Sequence, residues 1–421
     1  MRTYQFPLDL VRERSPERPV ALVRPRSVSV AARWFQDNLK ADVFYAVKAN
    51  PSAWVIEALI EAGVTAFDVA SLSEIELVRS VSATARLAFM HPVKGRSAIT
   101  RAYFDHGVRT FALDSHDELQ KILDATGGAK DLNLMVRMAV SADGAAYTLS
   151  GKFGVATHDA PSLLLAVRQA TVDGLMGVSF HVGSQCMRPS AYEAAMAQVG
   201  RAISRAGVFV DIVDVGGGFP SVYPGMVPPD MQEYADAIHR GFNEMPVSET
   251  TELWCEPGRA LVAESSSILC QVELRKGDAL YLNDGSYGSL FDATHSRWPF
   301  PVKLVRDGDS AGELKPFRFY GPTCDSIDHM PGPFYLPADV REGDYIEIGM
   351  LGAYGVAMST GFNGYGVHDI AAVEDAPMAS LYGLAPRSIP TVRTTAEETA
   401  KKVVRFSRPK GKAGQRKKSR R

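Results

Sequence analysis

Phe44-Tyr45-Ala46-Val47-Lys48-Ala49-Asn50-Pro51 is a run of β-formers that delivers a lysine to the end of a strand, where Asn-Pro stops it. An amine there, its aliphatic stem between apolar neighbours, suits a Schiff base to a carbonyl compound better than it suits solvent. Burial would lower its pKa and enlarge the nucleophilic free-amine fraction. A surface lysine snorkelling at a strand end reads the same in isolation. The rest of the chain separates the two readings.

Outward from this segment, between about residues 40 and 256, short apolar runs alternate with stretches of helical period. Strands are expected at 43–47, 66–69, 86–89, 110–113, 132–137, 177–180, 212–215 and 252–255. Amphipathic helices are expected at 53–62, 72–80, 117–125, 160–170 and 192–206. Parallel strands need crossover helices, so this alternation predicts a (β/α)8 barrel of TIM type over 22–265. Each strand runs into a polar or glycine-rich element: Lys48, Asp68, His91, Asp114, Arg137, His181, Gly216-Gly217-Gly218 and Glu256. In a barrel these share the carboxyl-terminal rim, where active sites of this fold sit. One polar strand end is ordinary; eight that converge make a site.

After residue 265 the texture changes. Short strand candidates at 268–274, 279–282, 316–320 and 345–348 are separated by Gly, Pro and Asp turns. They predict a β-sandwich or β-barrel domain over 266–390, to which residues 1–21 contribute a strand. Residues 391–421 read as a basic, disordered tail. Its last 21 positions carry 11 Lys/Arg and no Asp/Glu, leaving 35 basic against 48 acidic residues elsewhere. Plain solvation of the tail is the favoured reading, with RNA, acidic lipid or the acidic body of the chain as alternative contacts.

The 421 residues, 46% hydrophobic and 22% charged, suit a soluble globular protein with room for two domains. No apolar run reaches membrane-spanning length, and the N-terminus lacks the order of a signal peptide. Cys186, Cys255, Cys270 and Cys324 show no paired spacing, so neither a disulfide framework nor a metal site is expected, and the reading is cytoplasmic.

Three glycines after the seventh strand leave backbone N–H groups open to a phosphate, although a tight turn explains them equally well. Their spacing is not that of a nucleotide loop. In Glu256-Pro257-Gly258-Arg259 the carboxylate suits a protonated ring nitrogen and the arginine a phosphate, with a structural ion pair as the alternative. His181, in His181-Val182-Gly183-Ser184-Gln185, suits stacking on a flat ring, with Ser184 reaching the phosphate. It has no histidine at i+3 or i+4 to make a metal site.

Taken in order, these segments resemble the fold-type III pyridoxal-phosphate decarboxylases, the family of ornithine, lysine, diaminopimelate and biosynthetic arginine decarboxylases. The resemblance spans roughly residues 20–370 and adds Phe67-Asp68-Val69-Ala70-Ser71, Gly321-Pro322-Thr323-Cys324-Asp325-Ser326, Gly352-Ala353-Tyr354 and Phe362-Asn363-Gly364. It implies pyridoxal 5'-phosphate as cofactor, bound by Lys48. It further implies that Glu256 keeps the ring nitrogen protonated and that His181 stacks on the ring. Ser184, Gly216, Gly217, Gly218, Arg259 and Tyr354 would bind the phosphate arm. Asp68, Glu74, Arg137 and Lys152 match positions that line or brace the site. Alanine racemase shares the barrel but places an arginine at the ring nitrogen, so Glu256 points to decarboxylation.

By the same resemblance Cys324 would reprotonate the α-carbon, Asp325 would hold the substrate's distal amine and Phe362 would line its pocket. The loop of Cys324 would serve a second subunit, so a homodimer shares two sites and a monomer is inactive. Cys324-Asp325 is the form of ornithine and lysine decarboxylases, and the expected reaction is L-ornithine to putrescine, a step of polyamine biosynthesis. Those enzymes also place an acidic residue after Asp284-Gly285-Ser286-Tyr287-Gly288-Ser289. Here Asp292, His295 or Ser296 falls in that slot, depending on register. Gly355 departs more mildly, where threonine is common. Lysine, another basic amino acid or a carboxylated polyamine is the alternative substrate. A non-catalytic regulatory homologue is the alternative class, opposed by the presence of both Lys48 and Cys324.

Overall fold

The computed structural model describes residues 1–141, 144–147 and 151–389. Its eight parallel strands close into a barrel: β1 (Asp42–Ala46), β2 (Ala66–Val69), β3 (Arg86–Phe89), β4 (Thr110–Leu113), β5 (Asn133–Arg137), β6 (Met176–Ser179), β7 (Ile212–Asp214) and β8 (Glu252–Cys255). Closure is made where Trp254 and Cys255 of β8 pair with Asp42 and Val43 of β1. Every expected strand and helix of the barrel is present, with ends that agree to within two residues. Two of the helices, Leu72–Val81 and His116–Ala125, start on serine caps. The Ser71 and Ser115 hydroxyls accept the backbone N–H of Glu74 and Glu118, both at 3.2 Å.

The two-residue period of a strand builds the site. Phe44, Ala66, Ala88, Ala112, Met135, Ile212 and Trp254 pack together as an apolar plug inside the barrel. Phe44 stacks on Trp254 at 4.3 Å, and the Arg86 guanidinium covers both rings at 5.1 and 5.5 Å. Gly177 of β6 completes this layer, because a Cβ there would lie 2.3 Å from the Met135 sulfur. Two positions further along the strands come Ala46, Asp68, Met90, Asp114, Arg137, Asp214 and Glu256. A polar layer thus rests on an apolar one. Val43, Tyr45, Phe67, Val69 and Phe89 face the other way, into the helical shell.

The C-terminal strands belong to a nine-stranded mixed sheet. Ser266–Lys276 pairs with Val20–Val23, Ala279–Leu282 and Tyr345–Ile348. Leu314–Tyr320 pairs with His329–Pro337, and Val302–Val305 with Tyr345–Ile348. From the N-terminus, Thr3–Tyr4 pairs with Asp369–Val373, which pairs in turn with Val20–Val23 across the expected limit at residue 22. The apolar stretch after Tyr4 is a helix, Pro7–Arg14. Buried Arg24 joins the sheet to the segment beyond it through Glu347 and Asp375, both at 2.8 Å. Among the described residues no helix is long and apolar enough to cross a membrane. The basic tail expected over 391–421 lies outside the described residues.

One buried acid makes stability depend on pH. Glu264 accepts the Leu381 N–H at 2.7 Å, while its other oxygen is buried without a partner. Burial pushes its carboxyl up from 4.5 to about 7. The folded chain therefore binds this proton more tightly than the unfolded chain. The contribution is fully present below pH 4.5 and is lost as pH rises through about 7. Over that window Glu264→Gln should gain stability relative to the parent, by up to about 3 kcal/mol. Denaturant unfolding at pH 5 and pH 8 checks this; a constant difference between the two proteins would refute it.

Candidate active site

Lys48 is carried by a single 3-10 turn, Val47–Ala49, one residue past the end of β1. The turn is pinned on both flanks. The Tyr45 hydroxyl donates to the Asn50 carbonyl at 3.1 Å, Asn50 Nδ2 to the Gly352 carbonyl at 2.8 Å, and Tyr354 N–H to the Ala49 carbonyl at 2.8 Å. Lys48 Nζ donates to Asp68 Oδ2 at 2.6 Å. Its pKa is raised, against the expectation from sequence. Burial does pull it down, but the Asp68 and Glu256 carboxylates outweigh burial and hold the ammonium charged. Behind Asp68, the Ala70 N–H donates to Glu74 Oε2 at 2.6 Å and fixes the chain leaving β2.

Glu256 follows β8 and is buried beside Asp214, the last residue of β7. Burial and the negative charge of Asp214 push the Glu256 carboxyl well up. Asp214 is raised to about 6, chiefly by burial, while the Gly216 N–H at 2.8 Å on its Oδ1 pulls it back. Burial and mutual repulsion both favour a proton shared between these two carboxyls. Glu256 Oε1 is buried without a partner. Asp214 was missed in the sequence, where the glycines beside it drew the reading; its signal was the inward period of β7.

The glycine loop is a true cradle. Gly216 sits at φ +67° and a Cβ on it would lie 2.1 Å from the Phe180 carbonyl oxygen. On Gly218, at φ +102°, a Cβ would lie 2.6 Å from the Gly183 carbonyl oxygen. Only glycine lets this backbone close on the loop after β6. His181 accepts the Gly183 N–H on Nδ1 at 2.9 Å, which leaves the ring proton on Nε2. Burial, then Arg137 and Lys48, lowers its pKa to about 3, so the ring is neutral.

These groups meet at one cavity of about 330 Å³. Lys48, Asp68, Arg137, His181, Ser184 and Glu256 line it. Gly217, Gly218, Arg259, Tyr354 and Lys152 line it too, whereas Gly216 stands behind with its N–H on Asp214. His91, Met90 and Phe153 complete the wall, and His91 meets the Phe153 ring edge-on at 5.1 Å. Three buried polar atoms here lack partners: Asp68 Oδ1, Glu256 Oε1 and Arg259 Nε. An acid oxygen and a guanidinium N–H, each buried and unpaired, suit a ligand with a ring N–H and an anionic arm.

Arg259 is 7% exposed, with Nη1 donating to the Tyr223 hydroxyl at 2.8 Å and Nη2 lying 3.5 Å from Asp292 Oδ2. Asp292 thus meets the cavity through Arg259 and does not line it. His295 is exposed, with its ring 4.1 Å from that of Phe291. Cys324, Asp325 and Phe362 are absent from the cavity wall of their own chain. They gather on the sheet instead. Tyr287 OH donates to Asp325 Oδ2 at 2.6 Å, the Tyr287 and Phe362 rings are 4.8 Å apart, and Cys324 N–H donates to Asn363 Oδ1 at 3.2 Å. Cys324 is exposed and Asp325 is half-buried. Tyr287, Tyr223 and Trp298 are contributors that sequence reasoning did not single out.

The family described as "Pyridoxal-dependent decarboxylase, pyridoxal binding domain" matches residues 26–263. Among curated relatives, the lysine/ornithine decarboxylase of Selenomonas ruminantium is 31% identical over 346 residues, 80% of this chain and 85% of that protein. Antizyme inhibitor 2 of Xenopus laevis is 33% identical over 347 residues, covering 76% and 73%. Among solved structures, the Paramecium bursaria Chlorella virus arginine decarboxylase bound to agmatine superposes with a TM-score of 0.76 at 27% identity, covering 87% of this chain and 98% of that one.

Proposed function

We propose, from the premise that this chain belongs to the pyridoxal-dependent decarboxylases of basic amino acids, that it converts L-ornithine to putrescine and carbon dioxide. The observation that carries the reading is the opposed pair in one cavity: Lys48 held by Asp68, and the buried Glu256 with its Oε1 unpartnered. Pyridoxal phosphate supplies the electron sink that accepts the bonding pair as carbon dioxide leaves. Lys48 would bind it covalently, and Asp68 Oδ2, 2.6 Å from Nζ, orients that amine. Glu256, whose buried Oε1 has no partner, would hold the proton of the ring nitrogen as its paired carboxylate. Lys48 and Arg137 favour that ionised form. Arg259, Ser184 and the glycine loop at Gly217 and Gly218 would hold the phosphate, and the neutral His181 would pack on the ring.

Cys324 returns a proton to the α-carbon, and Asp325 receives the distal ammonium. The Tyr287 hydroxyl and the Ile327 N–H hold the Asp325 carboxyl below the usual carboxylate range, so it is charged at neutral pH. Since neither residue lines its own chain's cavity, each serves the cavity of a second copy in a homodimer. Phe362, packed on Tyr287, lines the same pocket.

A second reading has one observation in its favour. Asp292 is engaged by Arg259, and no other carboxylate occupies residues 290–299. With Asp325 as the sole acid for the distal amine, a longer basic amino acid such as lysine fits as well. Carbon dioxide release from L-ornithine, L-lysine, L-arginine and diaminopimelate separates the readings. Ornithine should exceed lysine in kcat/KM by about tenfold, the worth of one methylene in a fitted pocket. A reversed order would assign the lysine reading. Silence on the whole panel would leave a regulatory homologue, like the relative that is named an inhibitor.

A further inference from the structure

Arg259 is surrounded before any phosphate reaches it. Its guanidinium carbon lies 4.3 Å from the Trp298 ring centre, 4.9 Å from Tyr354 and 5.8 Å from Tyr223. Tyr223 OH accepts from Nη1 at 2.8 Å. The remaining polar neighbour is Asp292, 15% exposed, with Oδ2 at 3.5 Å from Nη2. Burial raises the Asp292 carboxyl, and Arg259 pulls it back. The mechanism above uses Arg259 as the cation for a phosphate and leaves Asp292 without a task.

We infer that Asp292 is a positioning residue that weakens the chain's hold on the cofactor's phosphate by sharing Arg259 with it. Two effects of opposite sign compete. As a hydrogen-bond partner, Asp292 would orient the guanidinium and strengthen phosphate binding. As a fixed negative charge, it would repel the phosphate and partly neutralise its cation. Orientation is already supplied by the Tyr223 hydroxyl and three aromatic rings, and 3.5 Å is long for a charged hydrogen bond. The charge effect therefore wins. The chain holds pyridoxal phosphate more loosely than its arginine alone would allow, so occupancy responds to cofactor concentration.

The inference rests on the placement of the phosphate at Arg259 in the proposed function. The test is the dissociation constant of the full chain for pyridoxal phosphate and, separately, for pyridoxal without phosphate, read by tryptophan fluorescence and equilibrium dialysis. Asp292→Asn, close in shape, should bind pyridoxal phosphate about tenfold tighter and bind pyridoxal unchanged. Asp292→Ser should move the same way. Arg259→Gln should erase the preference for the phosphorylated form. If Arg259→Gln keeps that preference, the phosphate placement fails. If it loses it while both Asp292 variants bind like the parent or more weakly, the role given to Asp292 fails. An equal gain for both ligands also overturns it, because a reshaped pocket does not read phosphate. Failure of both variants to fold would make Asp292 a structural residue and end the inference.

Discussion

Lys48→Ala should lower decarboxylation by at least about a thousandfold and abolish covalent retention of the cofactor. Two separate losses follow from one substitution. The first is the nucleophile, since no other lysine in the cavity is presented as Lys48 is; Lys152 lines the wall with its Nζ 4.9 Å from the Phe153 ring centre. The second is a charge. Without the Lys48 ammonium, Asp68 loses its partner at 2.6 Å and Glu256 loses one of two favourable cations. Lys48→Arg separates the losses. It keeps the charge and the fold but has no amine that can join a carbonyl, so it should be as inactive as Lys48→Ala and melt closer to the parent. Borohydride reduction followed by peptide mass mapping should find the cofactor on the 44–51 segment of the parent and on neither variant. Label on another lysine of the parent, or more than a tenth of parental activity in either variant, would remove Lys48 from its role.

The sign of the Lys48 pKa could not be read from its own segment. Val47 and Ala49 announce burial, and burial alone lowers a lysine. The groups that reverse it, Asp68 and Glu256, stand on other strands and reach Nζ only when the barrel closes. The barrel itself was legible because its signals are local: short apolar runs, helical periods between them, and a polar residue after each run. Contacts made across the fold, such as Arg259 with Asp292 or Glu256 with Asp214, carry no local signal.

In the sheet, His329–Pro337 escaped detection because Pro331, Pro333 and Pro337 contradict a paired strand. It stands at the end of the sheet's strand order, where missing N–H donors cost little. Val20–Val23 is buried at all four positions like several barrel strands, but it stands outside the βα alternation that made those strands legible.

Lys48→Ala and Cys324→Ala, each nearly inactive alone, should regain about a quarter of parental activity when co-expressed. The expectation follows from where the two residues sit. Lys48 is inside the barrel cavity and Cys324 is exposed on the sheet, absent from that cavity. An acid for the α-carbon must reach the cavity from outside the chain, or Cys324 has no catalytic task. The loop of Cys324 carries Ile327 at 54% exposure, and the segment joined to it through Asn363 carries Phe362 and Val367 at 41% and 60%. Exposed apolar side chains of this size beside a charged Asp325 suit a partner-binding face. In the proposed two-fold dimer each cavity would take Lys48 from one copy and Cys324 from the other. Random pairing makes half of the dimers mixed, and each mixed dimer has one site with both residues intact and one with neither. Differentially tagged chains allow the mixed dimer to be isolated, and it should show half of the parental kcat with an unchanged KM. A mixed dimer as inactive as its parents would place both residues in the service of one chain's own site.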